Sequence, residues 1–426
     1  MDIREIAFEA YKKSLMNGVF EGFENSEIST QDMAFIKRLI MTTLRKQEFL
    51  RKVINKYSSK PMPQKMQPTH FLLIMGCAEA LYFRTPTYAV VNSYVALAKK
   101  IGNKYSGGFI NAILRKICTD KENILQAQNV PFFTKTFRQI LQKDYTQKQI
   151  SLIEKYSVQE PPLDITVKKD FESWATKLNG KLMPNNSIRI QSAGEISQLP
   201  DYNNGEWWVQ DMASSMSVKT LKNIKGLKVL DLCAAPGGKT AQLINEGALV
   251  TALDISEKRL QTMQKNLARL KMQTIKTICA DANSFLQECK EKFDIILLDA
   301  PCSATGTLRR HPEIVHNRSI KDVEQCVTIQ KDILKNIDSC LKKGGTLLYS
   351  VCSLAKDEGE KQIINFISTN PQYKIVPITT ELFDNKEADS LQEMITEEGF
   401  MRCLPCHFAK DGGVDGFFIA KLKKEK

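Results

Sequence analysis

Two cysteines stand in sequence contexts that could support nucleophilic chemistry. Cys302 lies in LLDAPCSATGTLRRHPE (297–313), and Cys352 lies in LLYSVCSLAKDEGE (347–360). Each follows an apolar run that predicts a β-strand, and the carboxyl ends of parallel strands face one ligand crevice. A cysteine thiolate at such a place is a strong nucleophile. The chain has eleven cysteines, and the remaining ones are interpreted as small apolar fillers of the core.

A glycine-rich turn, DLCAAPGGKT (231–240), follows another apolar run. Gly237 and Gly238 allow the backbone to approach a ligand closely. Asp254 ends the next predicted strand and Asp281 the one after it, so both carboxylates are expected at the same rim. An acid after the second strand can accept hydrogen bonds from both ribose hydroxyls, although each acid could simply cap the following helix. The pattern favours an adenosine-type ligand.

Four other kinds of site are disfavoured by the sequence. A Walker phosphate loop needs a glycine five positions before Gly238, where this chain has Cys233, and the dinucleotide pattern G-x-G-x-x-G does not occur at the turn. The segment CLPCH (403–407) matches the spacing of c-type haem attachment, but no export signal accompanies it. No second cysteine pair completes a zinc site. We interpret these cysteines as incidental and predict no metal.

Strand–helix alternation beyond residue 206 must position these residues. Short apolar runs, each followed by a polar, helix-like segment, lie at 228–232, 249–253, 275–279, 293–298 and 346–351. The segment DGFFIAKL (415–422) is typical of a last strand. This pattern predicts a doubly wound, mostly parallel sheet. The preceding segment, 151–205, changes character and suggests a small α+β insert.

The first third of the chain is predicted to be helical and strongly basic. Apolar residues recur at helical spacing from Met33 to Leu50 and from Phe71 to Leu81, and prolines at 61, 63 and 68 suggest a loop between helices. Residues 1–150 contain 23 basic and 12 acidic residues, whereas the remainder contains 37 and 36. Two helices are expected within 90–117, with basic residues around their connection: Lys99, Lys100, Lys104, Arg115 and Lys116. This surface could contact phosphates, or it could be a solvated helix face.

Length and composition limit the class of protein. The chain has 426 residues, of which 42% are apolar and 25% charged, which is typical of globular proteins and excludes fibrous or wholly disordered chains. We predict domains at 1–145, 146–205 and 206–426. The N-terminus has no signal-peptide core, and the apolar runs are too short to span a bilayer. A cytoplasmic protein with reduced thiols is expected.

The motif series resembles that of the RNA cytosine-C5 methyltransferases. The matching segments are DLCAAPGGKT, ALDIS, DAPCSATGTLRRHPE, YSVCSLAKDEGE and PCHFAKDGGVDGFFIAKL, and VNSYVALAKK…GGFINAILRKI resembles a NusB-like RNA-binding domain. This domain order is similar to that of a bacterial 16S rRNA methyltransferase. The resemblance implies an α/β Rossmann-like domain dependent on S-adenosylmethionine, with a mostly parallel seven-stranded sheet. An all-α NusB-like domain and a small α+β linker domain would precede it.

The resemblance also implies a donor site. Its loop would be formed by Cys233, Ala234, Ala235, Pro236, Gly237, Gly238 and Lys239. Asp254 would meet the ribose, and Asp281 would lie by the adenine. Gln210 and Asp211 match a segment that packs beside this site in the family.

For catalysis, the resemblance implies that Cys352 is the nucleophile, that Cys302 helps product release, and that Asp299 lies between donor and base. The expected substrate is 16S rRNA. The protein is expected to be a monomer that binds neither DNA nor a membrane. Two alternatives stay open at this point. One is a methyltransferase of tRNA or another RNA, and the other is a non-catalytic, antitermination-like RNA-binding factor.

Overall fold

The computed structural model describes residues 2–17, 28–58, 67–101, 106–127, 131–191, 194–272 and 276–425. The chain divides into two compact units. The first comprises residues 1–139 and 311–318, and the second comprises 140–310 and 319–426. The predicted linker segment, 146–205, therefore lies inside the second unit. The domain boundaries at 145 and 205 stay predictions.

The first unit is built from helices. They are α1 (Ile3–Asn17), α2 (Thr30–Tyr57), α3 (Gln67–Tyr82), α4 (Thr87–Lys100), α5 (Ser106–Thr119), α6 (Lys121–Gln126) and most of α7 (Lys135–Gln142). The Ser29 hydroxyl caps α2 by accepting a hydrogen bond from the Asp32 amide. Buried apolar side chains then recur at helical spacing along α2, including Ile36, Leu39 and Ile40. The predicted helical domain is confirmed.

Residues 311–318 belong to the first unit although they follow the Cys302 segment in the chain. Ile314 and Val315 are buried there. The Val315 carbonyl accepts a hydrogen bond from the Thr134 hydroxyl at 2.9 Å. The His316 ring Nε2 lies 3.1 Å from the Leu44 carbonyl, and burial lowers the pKa of His316 to about 4. His316 is therefore a neutral, hydrogen-bonded core residue.

The second unit begins with the end of α7, α8 (Gln147–Ser157) and a small antiparallel sheet. Its elements are β1 (Leu163–Val167), α9 (Phe171–Lys177), β2 (Lys181–Leu182), β3 (Ile188–Ile190) and β4 (Trp207–Val209), and the strand order is β2-β3-β1-β4. A buried ion pair links β1 and β3, because Arg189 Nε lies 2.7 Å from Asp164 Oδ1. Paired in this way, the two charges can be buried.

A larger mixed sheet forms the rest of the second unit. Its strands are β5 (Lys228–Leu232), β6 (Leu249–Asp254), β7 (Lys276–Cys279), β8 (Phe293–Asp299), β9 (Leu341–Val351), β10 (Tyr373–Ile375), β11 (Met401–Cys403) and β12 (Phe417–Lys424). The order is β10-β12-β9-β8-β5-β6-β7, with β11 beside β12. The pairs from β9 to β7 are parallel, and those made by β12 are antiparallel. The predicted Rossmann-like sheet is confirmed, but it has eight strands rather than the expected seven, because β11 pairs with β12 beside the seven-strand path.

Helices precede β5 and separate the following strands along the chain. They are α10 (Met212–Lys219), α11 (Gly238–Asn245), α12 (Glu257–Arg269), α13 (Ala282–Glu288), α15 (Ile320–Asn336) and α16 (Glu360–Thr369). The short α14 (Ile314–Asn317) belongs to the first unit. Alternating β and α elements cover both faces of a parallel sheet, which explains why its strands are apolar runs.

Some predictions need correction or fall outside the described residues. Pro68 lies in the first turn of α3 rather than in a loop, because that position needs no amide hydrogen. Pro61, Pro63, Lys104 and position 275 are outside the described residues. In the part of the chain that the structure describes, every helix is too short or too polar to cross a membrane.

Candidate active site

The carboxyl ends of the parallel strands bring the predicted site segments to one edge of the sheet. β5 lies at the centre, with β6 and β7 on one side and β8 and β9 on the other. The chain thus reverses its direction of progression next to β5, and such a switch point opens a crevice for ligands. The glycine-rich turn follows β5, and the two cysteine segments follow β8 and β9.

The glycine-rich turn is held against the neighbouring strand by backbone hydrogen bonds. The Ala234 amide donates to the Leu253 carbonyl at 2.9 Å, and the Ala235 amide donates to Asp254 Oδ2 at 3.1 Å. Gly237 has φ 98°, and a Cβ on it would lie 2.5 Å from Met263 Cγ. Glycine is therefore required there for both conformation and space. The turn leads directly into α11, whose amino end faces the crevice edge.

Two of the predicted donor-site acids have different surroundings. Asp254 is buried, and its carboxylate also accepts the Ser256 amide at 3.0 Å and pairs with Arg259 at 3.4 Å. Asp281 is exposed and accepts the Ser284 amide at 3.0 Å, which makes it the cap of α13. Capping accounts for the contacts that Asp281 makes in the structure, and its role beside an adenine stays a prediction.

Asp299 connects the glycine-rich turn with the second cysteine segment. Its Oδ2 lies 2.7 Å from the Lys239 ammonium group, and its Oδ1 accepts a hydrogen bond from the Ser350 hydroxyl at 2.8 Å. Lys239 also lies over the Phe417 ring, 4.9 Å from its centre. The carboxylate is thus fixed from two sides while its side chain remains one-third exposed to the crevice.

The two predicted catalytic cysteines lie side by side. Their sulfur atoms are 3.4 Å apart, and both side chains are only partly buried. The Gly306 amide donates to the Cys352 carbonyl at 3.0 Å, which joins the two segments through the backbone. The hydrogen bond with Cys352, followed by burial, raises the pKa of the Cys302 thiol well above its usual value. The structure therefore places a thiol next to a second sulfur at the crevice.

Gln210 and Asp211 lie near the site in different ways. The Gln210 amide group lies 3.6 Å from the position of a Cβ on Gly238, and it donates to Gln242 Oε1 at 2.7 Å. Asp211 instead caps α10 and pairs with Arg310 at 2.9 Å. Arg310 also pairs with Asp415. Gln210 therefore packs beside the glycine-rich turn, whereas Asp211 belongs to a buried charge network.

The CLPCH segment is part of the core and of a turn. Cys403 is fully buried in β11, 3.8 Å from the Met394 sulfur. The His407 ring Nδ1 accepts a hydrogen bond from the Leu404 amide at 3.1 Å. Among the described residues, no three metal-binding side chains come together. These contacts favour the interpretation of Cys403 as an apolar filler.

The sequence analysis assigned no role to two polar residues at this edge, Asp231 and Ser350. The Asp231 carboxyl, fully buried at the end of β5, accepts the Thr240 hydroxyl at 2.6 Å through Oδ2. Its Oδ1 accepts no hydrogen bond from any residue that the structure describes. Burial raises the pKa of Asp231 to about 7. Ser350, which precedes Val351 and Cys352 in a quoted motif, was likewise given no role.

Comparisons with known proteins agree with this geometry. The family model for the 16S rRNA methyltransferase RsmB/F matches residues 218–423, and the NusB family model matches residues 1–119. The ribosomal RNA small subunit methyltransferase B of Citrobacter koseri is 34% identical over 421 residues, which cover 94% of this chain and 92% of that protein. The chain belongs to the RsmB/F family of 16S rRNA methyltransferases.

Solved structures share the fold of this RsmB/F family member. The crystal structure of PH0851 covers 100% of both chains with a TM-score of 0.75 and 21% identity. A methyltransferase homolog protein from Pyrococcus horikoshii covers 68% of this chain and 99% of its own, with a TM-score of 0.54 and 25% identity. The predicted family, fold class and enzyme class are confirmed. The protein is an rRNA methyltransferase, and S-adenosylmethionine is its methyl donor.

Proposed function

We propose that this RsmB/F enzyme methylates C5 of a cytosine in 16S rRNA through a transient bond between Cys352 Sγ and C6 of the base. The observation that carries the proposal is the pair of sulfurs, 3.4 Å apart, together with the Asp299 carboxylate, which accepts a hydrogen bond from Ser350, two residues before Cys352. Two cysteines after the carboxyl ends of neighbouring strands suit a reaction that needs both an attacking sulfur and a second group to take up a proton.

The chemistry explains why two sulfurs are needed. Cytosine C5 is a poor nucleophile, but a thiolate that adds to C6 converts the ring to an enamine-like form whose C5 can attack a methyl group. After methyl transfer, the C5 proton must leave before the bond between sulfur and C6 can break. We assign the addition to Cys352, which attacks as a thiolate after its thiol proton has gone to solvent, and the removal of the C5 proton to Cys302. Cys302 gives its own thiol proton to solvent before this step and becomes a thiol again by taking the C5 proton, while Cys352 leaves C6 as a thiolate.

Asp299 is assigned to the base. Its carboxylate is held by Lys239 and Ser350, so it is oriented before the substrate arrives. When N3 takes up a proton from solvent, a carboxylate in this position can accept a hydrogen bond from the N3–H, and N3 returns that proton to solvent when the bond between sulfur and C6 breaks. Because Ser350 lies two residues before Cys352, the acid and the attacking sulfur are positioned by the same strand end.

The residues at the crevice fit S-adenosylmethionine. Its sulfonium supplies an electrophilic methyl group. The glycine-rich turn, Cys233 to Lys239, presents backbone to the crevice, and Asp254 is assigned to the ribose hydroxyls. Asp231 Oδ1 is a buried acceptor without a described hydrogen-bond partner, which suits an ammonium or hydroxyl donor. Asp281 is assigned to the adenine side of the same site.

The first unit is proposed to bind the RNA. Residues 1–150 carry most of the excess positive charge of the chain. Lys99, Lys100, Arg115 and Lys116 are exposed at the ends of α4 and α5. Contacts of this kind release counterions, so affinity should fall as the salt concentration rises. We further propose a monomer that acts on RNA rather than DNA, in the cytoplasm, where bacterial ribosomal RNA is found.

Methyl transfer from radiolabelled donor to RNA tests the proposal. Deproteinised small-subunit RNA should be labelled, whereas tRNA and RNA-free protein should not. Bisulfite sequencing of the labelled RNA should then identify a single protected cytosine. Labelling of tRNA alone would favour the alternative substrate, and a label at a base other than cytosine would contradict the assigned chemistry. Size-exclusion chromatography with light scattering tests the monomer.

A further inference from the structure

A buried carboxylate lies behind the two cysteine segments. Glu358 lies in the turn between β9 and α16, and its side chain is fully buried. Its carboxylate accepts hydrogen bonds from both segments. Oε2 accepts the Ser303 amide at 2.8 Å, and Oε1 accepts the hydroxyls of Ser303 and, at 2.7 Å, Ser353. Ser303 directly follows Cys302, and Ser353 directly follows Cys352.

Helix α15 contributes Gln330, which contacts both Glu358 and the Cys302 segment. Gln330 Nε2 donates to Glu358 Oε2 at 3.1 Å and to the Pro301 carbonyl at 3.0 Å. Pro301 directly precedes Cys302, so the backbone is held on both sides of that cysteine: the Pro301 carbonyl accepts from Gln330, and the Ser303 amide donates to Glu358. The Tyr349 hydroxyl donates to the Glu358 carbonyl at 2.7 Å, which fixes the turn itself.

A carboxylate buried in this way is costly unless its oxygens are hydrogen-bonded. Burial raises the pKa of Glu358, and the hydrogen bonds from Ser303, Ser353 and Gln330 act in the opposite direction. Its described side-chain partners are the neighbours of the cysteines and Gln330, rather than the sulfurs. The arrangement therefore suits a residue that acts through the cysteine backbones.

We propose that Glu358 is a positioning residue that sets the separation of the two catalytic sulfurs by tying Ser303 and Ser353 to one carboxylate. This inference rests on the proposed function of Cys302 and Cys352. The separation matters because misplacing a reacting group by about 1 Å can cost about a hundredfold in rate. It also matters for the proton between the sulfurs, since their hydrogen bond depends on their distance.

Three substitutions separate geometry from charge. In E358Q, the amide oxygen can accept the Ser303 amide and Gln330, while the amide nitrogen can donate to the two serine hydroxyls, which also accept. E358Q thus keeps the bridge and loses the charge. E358D keeps the charge, but its side chain is one methylene shorter and cannot bridge both serines. E358A loses both.

The expected order of activity follows from the bridge. E358Q should retain methyl transfer within about fivefold, the effect of one altered hydrogen bond. E358D and E358A should lose about a hundredfold. D357N is the matched control, because Asp357 is the preceding carboxylate and pairs with Lys361 near the surface. It should behave as the unsubstituted enzyme. Thermal melting shows which variants are folded, and the E358Q–E358D pair decides the question if E358A does not fold.

Thiol alkylation provides a readout that a general loss of stability would not reproduce. The rate for each cysteine is measured against pH by mass spectrometry. In E358D the Cys302 curve should move to lower pH, because the sulfur–sulfur hydrogen bond is lost, while that of the buried Cys77 stays unchanged. In E358Q the curve should move less.

The outcomes divide cleanly. Activity retained in E358D but lost in E358Q would show that the enzyme needs the charge of Glu358 and not its bridge between the serines, and would overturn the proposal. Three variants that resemble the unsubstituted enzyme, or three that are equally impaired, would also overturn it. Failure of the underlying function is recognised separately, because C352A would then still methylate RNA.

Discussion

The two cysteine loops follow neighbouring strands, yet they hold their sulfurs in different surroundings. Cys352 follows β9 directly, and Ser350 in that strand binds Asp299. Cys302 is separated from β8 by Ala300 and Pro301, and its thiol has a raised pKa because of its hydrogen bond with Cys352 and its burial. Two cysteines at the same edge of one sheet thus have different surroundings, which suits the two different steps proposed for them.

The largest effect is expected from Cys352→Ala. Without the attacking sulfur, methyl transfer should fall by about 10⁴-fold or more, as for other lost nucleophiles. Binding of S-adenosylmethionine, measured by calorimetry, should be unchanged because the glycine-rich turn is intact. Residual turnover near the original rate would show that Cys352 is not the attacking sulfur.

Cys302→Ala should affect a later step. The attack can still occur, but without Cys302 the C5 proton is removed slowly, so turnover should fall by about a hundredfold. A covalent complex of protein and RNA should then persist on a denaturing gel. The double variant with Cys352→Ala is the control and should form none. Normal turnover without a covalent complex would show that Cys302 is not needed to remove the C5 proton.

The pH dependence of thiol alkylation sharpens the comparison. Because its pKa is raised, Cys302 stays protonated at pH 8, and its alkylation should be about tenfold or more slower than that of an exposed free cysteine. The rate should rise only at higher pH. Replacing Cys352 by alanine removes the sulfur hydrogen bond and should move the Cys302 curve to lower pH. An unmoved curve would mean that burial alone controls this thiol.

The smallest effect is expected from Ser350→Ala. This change removes one hydrogen bond to Asp299 and leaves the contact with Lys239, so methyl transfer should fall about fivefold, or roughly 1 kcal/mol. The effect should appear in kcat rather than in the affinity for RNA. Ser368, whose hydroxyl binds only its own helix among the described residues, offers a control substitution to alanine. Equal effects at both serines would argue against a positioned Asp299.

The sequence was most informative where chemistry lies in contiguous motifs at strand ends. The proximity of Cys302 and Cys352 could be predicted because parallel strands end at one edge. Asp281 is predicted at the donor site by the same logic; in the structure its carboxylate caps α13, and its role beside an adenine stays a prediction. The Glu358 bridge could not be predicted, because its donors come from segments more than twenty residues away as well as from its own turn.

The contribution of residues 311–318 to the helical unit was also unpredictable, because nothing in their local pattern indicates where so short a segment packs. The packing of this late segment in the helical unit has a consequence for biosynthesis. A nascent chain emerges from its amino end, and domains ordinarily fold as they appear. Here Ile314 and Val315, which complete that unit, are translated only after the donor loop and the first cysteine. Cotranslational folding of the amino-terminal part therefore stays unfinished until most of the polypeptide has been made.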